Sequence, residues 1–91
     1  MLWLVDMYYV YLIKSLKENF FYVGSTDDLK RRFSEHNNRK NLATKHHAPF
    51  KLIYYEAYCS KKDALIRENK LKHHGSVIGH LKKRVKNSSE E

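Results

Sequence analysis

Two segments near the start of the chain carry tyrosines at positions where a sheet could gather their phenols. Residues 8–13 (YYVYLI) and 20–25 (FFYVGS) are aromatic and β-branched, which is typical of strands, and a short polar loop separates them. A phenol can donate or accept a proton, so Tyr9, Tyr11 and Tyr22 are candidates for chemistry. The same residues are also ordinary strand formers that pack well on a sheet.

The register of this hairpin decides whether the phenols of Tyr11 and Tyr22 meet. A turn centred between Leu16 and Lys17 places the two phenols directly opposite each other. A turn centred on Lys17 itself places them on opposite faces, because a slip of one residue moves every side chain to the other face. The residues are compatible with both registers.

An acidic residue, Glu68, lies on the apolar side of the second predicted helix. At about 100° per residue it falls between Ala64 and Leu65, along the middle of the apolar stripe. Burial there excludes a carboxylate unless it is paired or binds a metal ion. An ion pair with Lys72 at i+4 is the simpler alternative. The position on the stripe favours a functional carboxylate.

Arg32 and His36 are four residues apart on the first predicted helix, so they share a face. Both border the apolar stripe of Leu29 and Phe33, which predicts that they lie at the rim of the core, half exposed. A guanidinium suits bidentate binding of a phosphate, and an imidazole can exchange a proton near neutral pH. An ordinary basic helix explains the same pattern, and the pair alone favours that interpretation.

The order of elements predicts a small α+β domain. We expect a three-stranded mixed sheet with helices packed on it, in the order β-β-α-β-α-α, the third strand being residues 50–58. We place the domain at residues 7–86, between an N-terminal extension (1–6) and a polar tail (87–91). The boundary signals are N-cap chemistry at Thr26 and Asp27, a capping pair of Ser60 and Asp63, a helix stop at Gly75 and a new start at Ser76.

The positive charge is concentrated in the C-terminal third of the chain. The net charge is +8, from 18 Lys and Arg against 10 Asp and Glu, and residues 61–86 alone carry +7. Such a surface favours a polyanion such as nucleic acid as partner, although a merely solvated face explains it too. The residues expected to contact nucleic acid are Arg31, Arg39, Lys45, Arg67, Lys72, Lys82, Lys83 and Arg84.

The cysteine count and the hydropathy pattern exclude several classes of protein. Cys59 is the only cysteine, so there is no disulfide framework and no zinc site built from cysteines, and a reducing cytoplasm fits best. The apolar start MLWLVD is too short for a signal peptide or a membrane span, so we expect no membrane association. The oligomeric state is left open.

Four segments together resemble the conserved motifs of the GIY-YIG nuclease family. YVY at 9–11 and YVG at 22–24, separated by ten residues, resemble the paired motif that names the family. DDLKRRFSEHN at 27–37 and ALIRENKLK at 64–72 resemble its conserved helices. The likeness extends over nearly the whole chain. It is strongest to small stand-alone bacterial members, which are related to the N-terminal nuclease module of the bacterial excision-repair nuclease.

The resemblance implies a metal-dependent endonuclease that hydrolyses phosphodiester bonds with Mg²⁺ or Mn²⁺, with DNA as the expected substrate in processing or repair. The chain departs from the family name at Tyr9, Val10 and Val23 but keeps both central tyrosines. The implied roles are Glu68 as metal ligand, Arg32 on the scissile phosphate, Tyr11 as general base, Tyr22 and His36 positioning or helping to deprotonate the attacking water, and Tyr9 and Gly24 as structural residues at the site.

Two other functions are compatible with the same residues. One is a nucleic-acid-binding module of the same fold with weak or no catalysis. The other is an interaction domain whose basic helices bind an acidic protein.

Overall fold

The computed structural model describes residues 6–91. Its elements are β1 (Tyr8–Ser15), β2 (Phe21–Thr26), α1 (Leu29–Asn37), β3 (Phe50–Tyr58), α2 (Lys61–His73), α3 (Gly75–Arg84) and α4 (Lys86–Glu90). The predicted order β-β-α-β-α-α is confirmed, and α4 is a short additional helix within the segment predicted as a polar tail. All but the last residue of the predicted extension 1–6 lies outside the described residues. In the part of the chain that is described, no helix combines the length and apolar character needed to span a bilayer.

β1 is the central strand of the sheet, whose order is β2-β1-β3. Both neighbours run antiparallel to β1, so the sheet is antiparallel throughout and the expectation of a mixed sheet is wrong in this respect. The reason is the position of β3. The chain returns through α1 and then pairs β3 with β1 on the side away from β2, so no two parallel strands are neighbours. As a result, β2 is an edge strand.

The register of the β1–β2 hairpin places Tyr11 opposite Gly24 and Ile13 opposite Tyr22. This is neither of the two registers considered from the sequence, because the turn is centred one residue further along than the first of them. Directly opposed residues share a face of the sheet, and so do residues two apart in one strand. Tyr11 and Tyr22 therefore lie diagonally on the same face.

The two faces of the sheet are covered by different helices. The side chains of β1 alternate between the faces, and each set joins a separate apolar cluster. The buried cluster shared with α2 and α3 consists of Val10, Leu12, Val23, Ala64, Leu71, Leu81 and Val85. The cluster on the other face consists of Tyr11, Ile13, Ala48 and Phe50, with Leu29 and Phe33 of α1 packed against it. The edge strand β2 therefore has α1 on one face and α2 on the other.

The N-cap of α1 is Asp28, whose Oδ1 accepts a hydrogen bond from the backbone N–H of Arg31 (3.1 Å). The predicted caps, Thr26 and Asp27, are therefore wrong. Thr26 forms a turn of its own, in which its Oγ1 accepts from the backbone N–H of Asp28 (3.0 Å). Three consecutive polar residues can each cap a helix, and this local turn selects the last of them.

Ser60 caps α2 as predicted, because its Oγ accepts from the backbone N–H of Asp63 (3.3 Å). The helix ends at His73, as expected, but Gly75 is not its stop and instead begins α3. The break lies at His74, whose extended backbone (φ −123°, ψ 103°) separates the two helices. No left-handed glycine is needed at this junction.

The end of α1 directs the loop that follows. Arg39 adopts a left-handed backbone (φ 59°), and its amide donates to the His36 carbonyl (3.2 Å). The Lys40 amide donates to the Glu35 carbonyl (3.0 Å). This pair of hydrogen bonds is a Schellman motif, in which glycine is the usual left-handed residue.

Asn37 then closes the loop 38–49 on itself. Its Oδ1 accepts from the Phe50 amide (2.6 Å) and its Nδ2 donates to the Phe50 carbonyl (3.3 Å). The loop is thereby held against the sheet face that α1 covers, and Thr44 within it is buried.

Candidate active site at the edge of the sheet

The phenol of Tyr11 lies directly over Gly24, its partner in the hairpin register. A Cβ atom on Gly24 would be 2.3 Å from the Tyr11 hydroxyl oxygen and 2.5 Å from Cζ, which no side chain tolerates. Only glycine leaves room for the ring at this position. The close approach expected at Gly24 is therefore made by the phenol of Tyr11.

His36 is completely buried (0% exposed), whereas its spacing predicted a half-exposed position at the rim. The prediction fails because the rings of Tyr11, Tyr22 and Phe50 surround the imidazole, with centroids at 5.6, 5.2 and 6.1 Å. Burial, and after it the charge of Arg32, lowers the pKa of His36 to about 4. The imidazole is therefore neutral at pH 7 and does not titrate there as expected.

A buried hydrogen-bond chain passes through His36. Its Nε2 lies 2.7 Å from the Tyr11 hydroxyl, and its Nδ1 lies 2.8 Å from Oγ1 of Thr44. Sequence reasoning missed Thr44, because a residue in an irregular loop carries no periodic signal. Its place in the chain depends on the path of the loop after α1.

Burial raises the pKa of Tyr11 to about 12, while the guanidinium of Arg32 acts in the opposite direction. The negative charge of Glu68 contributes to the rise. Tyr11 is therefore a neutral phenol at pH 7. A role as general base requires groups that stabilise its phenolate.

Arg32 reaches the same group from α1 and is half-buried, as its spacing predicted. Its Nη1 donates to Oε1 of Glu35 (2.9 Å), and this hydrogen bond raises the pKa of Arg32 above its already high value. The guanidinium is therefore always charged, and it is held on one side by a carboxylate that the sequence analysis did not single out.

Glu68 lies on the opposite side of the edge strand, on α2. Its Oε1 accepts from Oγ of Ser25 (2.8 Å), and its Oε2 pairs with Nζ of Lys72 (3.0 Å). The ion pair considered as an alternative is therefore present. Leu65, which the apolar stripe was predicted to include, is 46% exposed. The stripe is narrower than expected, and Glu68 lies at its margin.

The surroundings of Glu68 suit a divalent cation held by a single carboxylate. Among residues 6–91, no three His, Cys, Asp or Glu side chains come together as a metal cage. Mg²⁺ usually binds one or two carboxylates and keeps several water ligands, so it does not require such a cage. The ammonium of Lys72 already occupies a cation position at Oε2, and the Ser25 hydroxyl supplies a further oxygen close by. The residues present therefore fit Mg²⁺ or Mn²⁺.

A cleft of about 360 Å³ joins the two sides of the edge strand. Residues of β2, α1 and α2 line it, among them Ser25, Thr26, Arg31, Arg32, Ala64 and Leu65. Arg32 enters from one side, and Ser25 connects the cleft to Glu68. Lys72 bridges the edge from α2, with its Nζ 5.1 Å from the centroid of the Tyr22 ring. The structure thus gathers Tyr11, Tyr22, Arg32, His36 and Glu68 around one end of β2.

Tyr9 lies beside this group. It is paired with Thr26 across the hairpin, and its ring packs edge-on against Tyr55 of β3 (5.8 Å between centroids, 67°). Tyr9 therefore supports the sheet next to the site, in keeping with the structural role expected of it.

Two of the predicted nucleic-acid contacts are occupied by acidic side chains. Nε of Arg67 donates to Oε1 of Glu56 (2.7 Å), which belongs to β3 at the other edge of the sheet. Arg31 pairs with Asp27 (3.3 Å) beside the cleft.

The remaining predicted contacts are distributed over three places. Lys72 belongs to the site, and Lys82 packs over the ring of Phe21 in β2 (4.4 Å). Lys83 and Arg84 are exposed on α3, while Arg39 and Lys45 belong to the loop after α1. Lys72 and Lys82 are therefore the predicted contacts that pack over aromatic rings of the edge strand beside the candidate site.

Comparison with known proteins identifies the family. Residues 7–77 match the GIY-YIG catalytic domain. A UPF0213 protein of Limosilactobacillus reuteri (strain DSM 20016) is 41% identical over 71 residues, covering 75% of this chain and 73% of the relative. The UPF0213 protein SSP2268 of Staphylococcus saprophyticus is 35% identical over 69 residues, covering 75% and 83%.

A solved structure is also similar. The solution NMR structure of the UPF0213 protein BH0048 from Bacillus halodurans is 32% identical, covers 74% of this chain and 71% of that one, and gives a TM-score of 0.47. The family match extends from β1 into α3. This chain is a member of the GIY-YIG nuclease superfamily.

Proposed function

We propose that this protein is a metal-dependent endonuclease that hydrolyses phosphodiester bonds of DNA, in DNA processing or repair in the cytoplasm. Membership of the GIY-YIG superfamily implies a nuclease and a nucleic-acid substrate. The observation that carries the finer proposal is the gathering of Tyr11, Arg32 and Glu68 around one edge strand beside a cleft. A proton acceptor, a phosphate-binding cation and a metal-binding carboxylate are the groups that this hydrolysis uses.

Arg32 would bind the scissile phosphate. Its planar guanidinium can donate two parallel hydrogen bonds to phosphate oxygens, and these strengthen as negative charge develops there. Glu35 holds the guanidinium in place through the 2.9 Å hydrogen bond, so less conformational freedom is lost when the phosphate binds.

Tyr11 would accept the proton of the attacking water. Because burial keeps it a phenol at pH 7, its oxygen becomes an effective base only when hydrogen-bond donors and positive charge stabilise the phenolate. Arg32 is one source of that charge. Tyr22 packs against the same imidazole and beneath Lys72, so its hydroxyl is the second candidate to hold the water.

Glu68 would hold Mg²⁺ or Mn²⁺, with water and phosphate oxygens as the other ligands. When bound, the ion would polarise the phosphate and stabilise the leaving oxygen. Ser25 and Lys72 fix the orientation of the carboxylate through contacts to its two oxygens.

DNA would be bound mainly through its phosphates. Lys72 and Lys82 lie along the edge strand that carries the site, and Lys83 and Arg84 continue the basic surface on α3. Contacts to the sugar–phosphate backbone carry no sequence information, so we expect binding to be independent of sequence and to weaken with salt.

The experiment that tests the proposal is cleavage of a substrate panel by the full chain with Mg²⁺ or Mn²⁺. The panel contains single-stranded, duplex, flap and nicked DNA, and RNA. Glu68→Gln removes the charge and keeps the shape, and Glu90→Gln is the control because Glu90 lies at the end of α4, away from the site. We expect the wild type and Glu90→Gln to cut DNA, Glu68→Gln to lose cleavage, and EDTA to abolish it.

Three results would contradict the proposal. Equal cleavage by the wild type and Glu68→Gln would show that Glu68 does not hold the catalytic metal. If none of the proteins cuts any substrate while all bind nucleic acid, the chain is a binding module of the same fold. Cleavage of RNA alone would overturn the assignment of DNA as the substrate.

A further inference from the structure

The hydrogen-bond chain through His36 contains one proton more than it uses internally. The Tyr11 hydroxyl, the neutral imidazole and the Thr44 hydroxyl carry one exchangeable proton each. Together they form two hydrogen bonds, of 2.7 Å and 2.8 Å. The third proton must therefore point out of the chain, either at the Thr44 end or at the Tyr11 end.

The Thr44 end is closed. Thr44 is 0% exposed, and within residues 6–91 its Oγ1 has no hydrogen-bond partner except Nδ1 of His36. A hydroxyl proton directed away from Nδ1 would be a buried donor without an acceptor, which native proteins avoid. The hydroxyl proton of Thr44 therefore points at Nδ1.

The Tyr11 end is the open one. Its oxygen lies within the influence of Arg32, which lines the cleft, and of Glu68 beyond the edge strand. A substrate phosphate bound by Arg32 would therefore lie close to this oxygen. A phenol proton directed there can be passed to solvent or to a bound substrate.

We propose that Thr44 is a positioning residue, which donates its hydroxyl proton to Nδ1 of His36 and so fixes the imidazole as the Nε2–H tautomer. Nε2–H then donates to the oxygen of Tyr11, and the phenol proton points toward the cleft. The inference rests on the proposed function, in which Tyr11 accepts a proton from water.

The tautomer decides which way the proton of Tyr11 leaves. With Nε2 unprotonated, the phenol would pass its proton inward to His36, which is a poor acceptor because its pKa is about 4. With Nε2 protonated, the Tyr11 O–H bond breaks outward and its proton passes to solvent. The phenolate oxygen then takes one proton from the attacking water. A hydrogen bond to the charged form favours that form, so Nε2–H stabilises the phenolate.

The other charged and titratable groups around this chain come from three elements. Tyr11 is faced by Arg32 of α1, Tyr22 of β2 and Glu68 of α2, and His36 by Arg32 and Glu35. Of the groups that face Tyr11, Arg32 favours the phenolate, whereas the charges of Tyr22 and Glu68 oppose it. The donor supplied by His36 therefore acts together with Arg32.

The direct test is the tautomer of His36 in the full ¹⁵N-labelled chain, read from long-range ¹H–¹⁵N correlations at pH 7. We expect Nε2 to be protonated and Nδ1 unprotonated. A protonated Nδ1 would overturn the inference. This measurement does not depend on cleavage, so failure of the inference is distinguished from failure of the nuclease proposal.

A pair of substitutions tests the role of the hydroxyl. Thr44→Val keeps the shape and removes the donor, and Thr44→Ser keeps the donor. In Thr44→Val we expect the ionisation of Tyr11, followed by ¹³C NMR of labelled tyrosine, to move to higher pH. The single-turnover cleavage rate should fall about tenfold, as a pKa change of about one unit implies.

Nucleic-acid affinity should be unchanged in Thr44→Val, and Thr44→Ser should stay close to the wild type in both measurements. A folded Thr44→Val protein in which Tyr11 titrates as in the wild type would overturn the positioning role. If Thr44→Val does not fold, the tautomer of the wild type still decides the inference.

Discussion

The hydroxyl oxygen of Tyr11 occupies the space that a side chain on Gly24 would need, 2.3 Å from the position of its Cβ. The phenol has no alternative position, because Tyr11 is 2% exposed and its oxygen is hydrogen-bonded to His36 (2.7 Å). The glycine of the YVG segment is therefore required by the tyrosine of the YVY segment on the facing strand. The two segments are one structural unit.

This packing predicts the effect of Gly24→Ala. The added methyl must displace Tyr11 or the strand, and we expect a loss of about 1–3 kcal/mol in the free energy of unfolding, the usual cost of overpacking. Gly79→Ala is the control, because a Cβ there meets nothing within 4 Å. Alanine inside α3 should stabilise by about 0.5–1 kcal/mol. Urea unfolding measures both, and a Gly24→Ala protein as stable as the wild type would refute the packing.

The neutral buried imidazole predicts sensitivity to acid. The pKa of His36 is 6.5 in its ordinary state and about 4 in the folded protein, because burial disfavours the charged form. Between these values the unfolded chain binds a proton that the folded protein does not, so stability falls as the pH falls. We expect this residue to cost about 2 kcal/mol between about pH 7.5 and pH 5.

The measurement for this prediction is urea unfolding of the wild type and His36→Gln at both pH values. The glutamine variant has no imidazole to protonate, so its stability should fall by about 2 kcal/mol less over the same interval. Identical losses in the two proteins would show that His36 is not held neutral by the fold.

The left-handed backbone of Arg39 (φ 59°) predicts a stabilising substitution. Arg39→Gly removes the strain of a side chain at the end of α1, and we expect a gain of about 1 kcal/mol. The hydrogen bond from the guanidinium to the Ala48 carbonyl is long (3.4 Å), so its removal should not offset this gain. Arg39→Ala removes the same hydrogen bond and keeps the strain, so its melting temperature should be lower than that of Arg39→Gly. The opposite order of melting temperatures would contradict the prediction.

The basic end of α3 predicts a loss of affinity that is the same for every sequence. Replacing Lys82, Lys83 and Arg84 together by alanine should weaken binding of all DNA sequences alike and flatten the salt dependence. For duplex DNA the slope of log K against log salt falls by about 0.9 per phosphate contact removed. Lys30→Ala, at the start of α1, is the control and should change neither quantity. A loss confined to one sequence would refute the prediction.

Much of the fold could be predicted because each element carries its own pattern. β3 has a run of aromatic and β-branched residues from Phe50, and α2 has a serine cap at residue 60. The register of the hairpin could not be predicted, because the loop between β1 and β2 contains no glycine or proline to fix its centre. The junction after α2 was misjudged because His74 breaks the helix with an extended backbone that histidine does not signal.

The candidate site was predictable to a similar extent. The motif spacing indicated Tyr11, Arg32 and Glu68, and the structure brings them together. The burial of His36 was not predictable from α1 alone, because it depends on aromatic rings that the sheet supplies. Thr44 was missed because its position follows from the path of the loop after the Schellman turn.

The measurement that tests the central claim most directly is single-turnover cleavage of DNA by the wild type, Tyr11→Phe and Tyr55→Phe. Tyr11→Phe removes one phenol oxygen at the site, and Tyr55→Phe removes one on β3, where Tyr55 is 51% exposed. We predict that Tyr11→Phe lowers the rate by about 10²–10⁴, the usual contribution of a placed general base, with affinity retained. Tyr55→Phe should cut like the wild type. Equal cleavage rates in all three proteins would contradict the assignment of this site.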